Sequence, residues 1–218
     1  MQDIQWEACF QEQIHKRKGA NNTSIKRFVA SVLMPLSTSD LDSCRLDSSV
    51  KAKIIKRPPK LWSPEDPERW IIPSGSLPPA YLSFLRWSNG GEFRNGDRLL
   101  QFFGTSGDNG VREMMLAYRV PYWAPGLLPF AFNGGGVFYA FDMRFRPHKG
   151  EYQIVAAESG YAHTPFDLED TFIEACRSEV SIESKWDIKS EVTRPMCDDC
   201  GEFLICPKCR KRGPTKHT

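Results

Sequence analysis

The clearest hydrophobic pattern in the chain lies in LPPAYLSFLRWSNGGEF, Leu77 to Phe93. Tyr81, Leu82, Phe84 and Leu85 recur at helical spacing and predict one apolar helix face. Ser76 stands where it can cap, and Pro78 and Pro79 fall in the first turn, where a missing N–H has no intrahelical partner to lose. Asn89-Gly90-Gly91 predicts the stop, since glycine takes a left-handed C-terminal conformation without a Cβ clash. A second stripe, Ile25, Phe28, Val29, Val32 and Leu33, runs at i, i+3, i+4, i+7, i+8 behind Asn21-Asn22-Thr23-Ser24 and ends at Pro35. It predicts a helix packed on the main domain, the alternative being a separate partner-binding hairpin. Ile4, Cys9, Phe10 and Ile14 make a weaker helical stripe ahead of it.

Beyond Phe93 the period becomes strand-like. Arg98 to Phe103, Leu127 to Phe132, Val137 to Met143 and Tyr152 to Ala157 read as strands, and the middle two form a hairpin across Asn133-Gly134-Gly135-Gly136. Val111 to Tyr118 reads as a short helix and Tyr122 to Pro125 as an aromatic turn. A closing helix runs through Thr171, Phe172, Ala175 and Cys176, with Asp167 as its cap. Ser37 to Asp47 is polar but lacks the glycine and closing glutamate of a calcium loop, so it reads as a loop or short surface helix. Pro58-Pro59, Pro64 and Pro67 predict an extended connection, which places the start of the main domain near Trp62 or Trp70.

Composition bounds the answer without naming it. At 218 residues, 40% hydrophobic and 12% aromatic, the chain has material for one core plus an appendage. A net charge of +2 gives no global case for nucleic acid, and none for an acidic surface that would mimic it. The opening residues MQDIQWEACFQEQ have no basic n-region or apolar h-region, and no run approaches the roughly 18 apolar residues of a membrane span. Seven cysteines in that setting argue for thiols or metal ligands, and a cytoplasmic location is expected.

The strongest chemical signal is CDDCGEFLICPKC. Cys197, Cys200, Cys206 and Cys209 form two C-x-x-C knuckles, whose four thiolates are the ligand set of a closed tetrahedral structural zinc site holding one ion. Gly201 and Pro207 suit the sharp turns that aim each pair at one metal. Four thiolates leave no open position for catalysis. The competing readings are two redox pairs or disulfides, and iron fits the same four-sulfur cage. Arg210, Lys211, Arg212 and Lys216 follow, a basic tail that reads either as a phosphate contact for nucleic acid or as a solubilising terminus.

Catalytic constellations do not form. The run Gly134 to Gly136 is followed by a strand-like segment without Lys-Ser/Thr, so a hairpin turn is expected there instead of a phosphate loop. No G-x-S-x-G elbow occurs. Cys176 on the closing helix reads as a packing thiol. His163 stands alone, and an acid/base role would need a pocket joining it to Glu158 or Asp142. A non-enzyme is expected.

Taken in order, LPPAYLSFLRWSNGG, a strand and short helix, LLPFAFNGGGVFYAFDMR, then a strand and closing helix resemble the SUKH superfamily of Smi/Knr-type domains over roughly Trp70 to Arg177. Tyr139-Ala140-Phe141-Asp142 stands where that family carries an aromatic-x-apolar-Asp strand end. The resemblance implies an α+β fold, mainly an antiparallel sheet flanked by helices. An N-terminal helical extension (1–61), a SUKH-like domain (62–185) and a small zinc-knuckle tail (186–218) are expected in sequence. The resemblance also implies a protein-binding module: an immunity protein that neutralises a cognate bacterial toxin by direct binding across the sheet face or loops. The alternative is a regulatory or scaffold protein whose zinc knuckle and basic tail contact nucleic acid or a protein complex. The extension and the tail lie outside the resemblance.

Overall fold

The structure is a computed structural model, and it describes residues 4–45, 66–159 and 165–185. Met1–Ile182 form one compact unit; of the second, Glu183–Thr218, residues 183–185 are described and are helical.

The first unit is α+β. Seven strands, β1 (Glu12–Lys16), β2 (Gly91–Asn95), β3 (Arg98–Phe102), β4 (Leu127–Phe132), β5 (Val137–Asp142), β6 (Ile154–Glu158) and β7 (Phe166–Asp167), pair in sequence order, each antiparallel to the next. The helices are α1 (Asn22–Ser31), α2 (Pro79–Trp87), α3 (Val111–Ala117), the single turn α4 (Val120–Trp123) and α5 (Phe172–Arg177). Residues 38–45 add a short surface helix, with the Ser37 hydroxyl and the Asp40 carboxylate bonding reciprocally at its start.

The helix predicted at Leu77 to Phe93 sits at the centre of the core. Tyr81, Phe84 and Leu85 are fully buried. Phe84 meets Phe102 at a ring separation of 4.3 Å and Trp6 at 5.4 Å, while Tyr81 meets Phe141 and Phe172, each at 5.2 Å. Burying each such side chain contributes about 1.5–3 kcal/mol. Its start differs from expectation: Pro78 occupies the N-cap and no side chain caps the helix. Its end differs too. Ser88 is already extended, and Gly91, at φ +122°, opens β2 so close to β1 that a Cβ would lie 2.3 Å from the His15 carbonyl oxygen. The glycine serves the strand contact more than the helix stop.

β4 runs through the middle of the sheet yet contains Pro129, which has no N–H for the ladder. The register absorbs it, since Pro129 faces Ala140 and Ala131 faces Tyr139, leaving Phe130 as the extra residue of a bulge. The bulge turns Phe130 onto the core, 4.6 Å from Phe141 and 5.2 Å from Phe172.

Three further expectations are corrected. The N-terminal segment is helical over α1, where Asn21 caps by accepting from the Ser24 N–H, but Glu12–Lys16 is a strand of the main sheet. Within the second stripe Ile25, Phe28 and Val32 are buried, whereas Val29 is exposed. The closing helix is capped by Thr171 in a reciprocal box with Glu174, and Asp167 lies in β7 instead. α1 is held by Arg112, which donates to the carbonyls of Ser31, Val32, Met34 and Pro35 and to the Asp40 carboxylate, placing a cation at the negative end of the helix. Burial pushes the Asp40 carboxyl up, but the bonds from Arg112 and Ser37 prevail and hold it below its usual range.

Candidate functional site

The sheet has one face packed on α2 and α5, and its other face is divided. Over β4 and β5 that second face is covered: Tyr118, just beyond α3, packs edge-on against Phe132 and Phe138 at 5.0 and 5.3 Å. Over β1 to β3 it is open. Burial alternates along β2 and β3, with Phe93, Leu100 and Phe102 turned inward and Glu92, Arg94, Leu99 and Gln101 outward. Such alternation is what a half-solvated antiparallel sheet requires. β1 is exposed at every residue and extends the open face with Glu12 opposite Arg94 and His15 opposite Glu92. The Arg94 and Glu12 charges lie 3.8 Å apart on the surface, which is worth little in stability.

Between this open face and α3 lies a shallow cleft of about 290 Å³ touching His15, Arg17, Glu92, Gln101, Met114 and Phe132. A larger groove of about 420 Å³ is mostly apolar and is lined by Leu33, Leu36, Leu41, Trp70 and Ile72 among others. The mixed polar and apolar character of the open face suits a protein contact better than an enclosed small-molecule site.

The glycine run forms the hairpin turn that the sequence predicts. The Asn133 carboxamide oxygen accepts from the N–H groups of Gly135 (2.8 Å) and Val137 (3.0 Å), and Asn133 N–H donates to the Val137 carbonyl. Two of the amides a phosphate would need are therefore taken.

Asp142 and Glu158 do not meet. Glu158 pairs with Val137 at one end of the β5–β6 ladder, while Asp142 lies at the other. Five residues of strand separate them, about 17 Å. Asp142 is buried and engaged as a fork with Arg144, accepting from its Nε at 2.6 Å and its Nη2 at 2.5 Å. Cys176 is fully buried, and burial followed by the neighbouring Cys9 pushes its thiol well up, so the packing role stands. Asn95 ties these two cysteines' backbones by donating to both carbonyls, at 2.7 Å to Cys9 and 2.5 Å to Cys176. His163 lies outside the described residues, as do Cys197, Cys200, Cys206, Cys209 and the basic tail. Among the described residues no three His, Cys, Asp or Glu side chains gather as metal ligands, and no helix is long and apolar enough to cross a membrane.

Sequence reasoning passes over two features of this surface. β1 has no hydrophobic alternation to announce it. The Asp142–Arg144 fork carries a faint signal, an aspartate at the end of an alternating strand with an arginine two residues on, where both side chains leave the same side of the chain.

Residues 74–178, just under half of the chain, match the SMI1 / KNR4 family (SUKH-1). The matched segment supplies β2 to β7, α2 to α5 and most of the core; β1 and α1 come from outside it. No curated protein matches the chain.

Proposed function

We propose that the protein is a non-enzymatic, protein-binding module of the SUKH type, and that its role is to neutralise a cognate bacterial toxin by occluding it. The observation that carries this reading is the SMI1 / KNR4 match over 74–178 on an antiparallel sheet with an open, mixed-polarity face. Inhibition by occlusion needs about 1,200–2,000 Å² of buried surface, which the open face of β1 to β3 and its bordering loops would supply together.

In this reading the tail is an accessory. Cys197, Cys200, Cys206 and Cys209 hold one structural zinc ion, and the donor set fits, since four thiolates complete a tetrahedron and leave no site for substrate. Zinc bound there would fold a segment too short to build a core of its own.

The test is a pull-down with the tagged protein, nuclease-treated and washed at low and high salt, followed by reconstitution. A single near-stoichiometric protein that survives high salt, and whose toxicity in a reporter strain is relieved by co-expression, is expected. Recovery of nucleic acid alone, lost steeply with salt, would move the function to Arg210, Lys211, Arg212 and Lys216 and overturn the reading.

A further inference from the structure

Phe145 is the most exposed of the large hydrophobic side chains among the described residues, at 66%. Single exposed apolar residues are common, so exposure alone means nothing. What sets this one apart is how firmly it is held out. The loop from Arg144 to Gly150 leaves β5 directly after buried Asp142 and is fixed at both ends. At the first end, Arg144 is forked onto Asp142, its backbone N–H also donates to that carboxylate, and Met143 N–H donates to the Gly126 carbonyl. At the far end, His148 and Glu151 exchange two backbone hydrogen bonds, at 2.8 and 3.0 Å, across Lys149 and Gly150. Both of those residues have positive φ, at 52° and 84°, as a tight hairpin turn requires. The Arg144 guanidinium lies 5.7 Å from the Phe145 ring centre and supports one face of it.

Around this aromatic the loop carries Arg146, His148 and Lys149, all exposed, and neither Arg146 nor Lys149 has an ion-pair partner among the described residues. A pre-organised aromatic flanked by free cations has the makings of a binding hot spot, because little conformational entropy remains to be lost on contact. Single-stranded nucleic acid fits less well. Asp142 already neutralises Arg144, and one face of the ring is occupied, so two full charges and one free ring face remain where a phosphate track needs a basic groove and a stacking platform.

We propose that the Arg144–Gly150 loop is the anchor of the partner interface: Phe145 enters an apolar socket on an acidic partner protein, and Arg146 and Lys149 pair with carboxylates on its rim. This rests on the protein-binding reading above and adds to it the chemistry of the partner. The loop then contributes most of the affinity.

The experiment replaces Phe145, and separately Arg94 on the open face, with a photo-crosslinking phenylalanine derivative in the full chain within its native cell. Adducts are identified by mass spectrometry, and affinity is then measured with the purified partner. A discrete adduct from position 145 to an acidic protein is expected, with Phe145→Ala weakening that protein's binding about thirtyfold. Arg146→Gln with Lys149→Gln should also weaken it and flatten its salt dependence. Both variants alter exposed positions, and an unchanged melting temperature confirms that they fold. An adduct from position 94 alone, or undiminished affinity of Phe145→Ala, overturns the anchor and leaves the protein-binding reading intact. A nucleic-acid adduct from position 145 overturns the anchor as a protein contact, and the absence of any stoichiometric protein partner overturns both.

Discussion

Arg98 and Glu169 form an ion pair inside the protein: Arg98 Nη1 donates to Glu169 Oε2 at 2.9 Å, with the two side chains 0% and 9% exposed. The same guanidinium donates through Nε to the Val180 carbonyl at 2.8 Å and lies over the Tyr139 ring, so one residue of β3 ties the sheet to the segments on either side of α5. Removing either partner strands a buried charge. Arg98→Ala or Glu169→Ala should each cost about 3–5 kcal/mol, read as a drop in the urea midpoint at constant m-value. The double replacement Arg98→Met with Glu169→Leu should recover a substantial part of that loss, since no buried charge is then left alone. Losses that simply add would mean that the two residues act separately.

Leu85→Ala should destabilise by about 2–5 kcal/mol, because the residue is fully buried on α2 and truncation leaves a cavity in the core. Chemical denaturation measures it, and an unchanged midpoint would contradict the placement of that helix face.

Tyr81 presents the opposite case. Its hydroxyl is buried without a hydrogen-bond partner among the described residues, and burial raises its pKa far above the usual phenol range. Tyr81→Phe should therefore leave stability unchanged or raise it by about 1 kcal/mol. The pH dependence has a definite sign. Below about pH 10 the phenol is protonated in both the folded and the unfolded chain and contributes no slope. Above it the unfolded chain releases this proton while the folded one keeps it, so wild-type stability falls as pH rises. The variant should show a shallower fall between about pH 10 and 11, and parallel curves would refute the assignment.

Purified protein should contain one equivalent of zinc held by Cys197, Cys200, Cys206 and Cys209. Elemental analysis decides the metal and its amount, and Cys206→Ser should lose most of it. Because the first unit builds its own core, removing the metal with a chelator should leave its unfolding transition nearly unshifted. A metal content far below one equivalent would sink the site.

The elements read in advance are those whose signal is local. α2 and α3 are visible as apolar spacing between breakers, and β3 to β6 as alternating or continuous apolar runs bounded by Gly, Pro and Asn. β1 is invisible by the same test: EQIHK is exposed throughout and becomes a strand because the β2 edge offers it hydrogen bonds. β7, two residues long, exists for the same reason. The candidate site divides along this line as well, since the sheet face follows from alternation, whereas the held loop at Phe145 depends on a fork between Asp142 and Arg144 that strand-end geometry closes.

By itself the sequence determined the main helix and the central hairpin, because each rests on residues close together in the chain whose spacing has one good physical solution. The tertiary structure alone decided the edge strand β1, the division of the sheet into a covered and an open face, the burial of Arg98 against Glu169 and the distance between Asp142 and Glu158. Those are pairings across long stretches of chain, and their energies depend on which surfaces come together and what water is excluded, which no local pattern encodes.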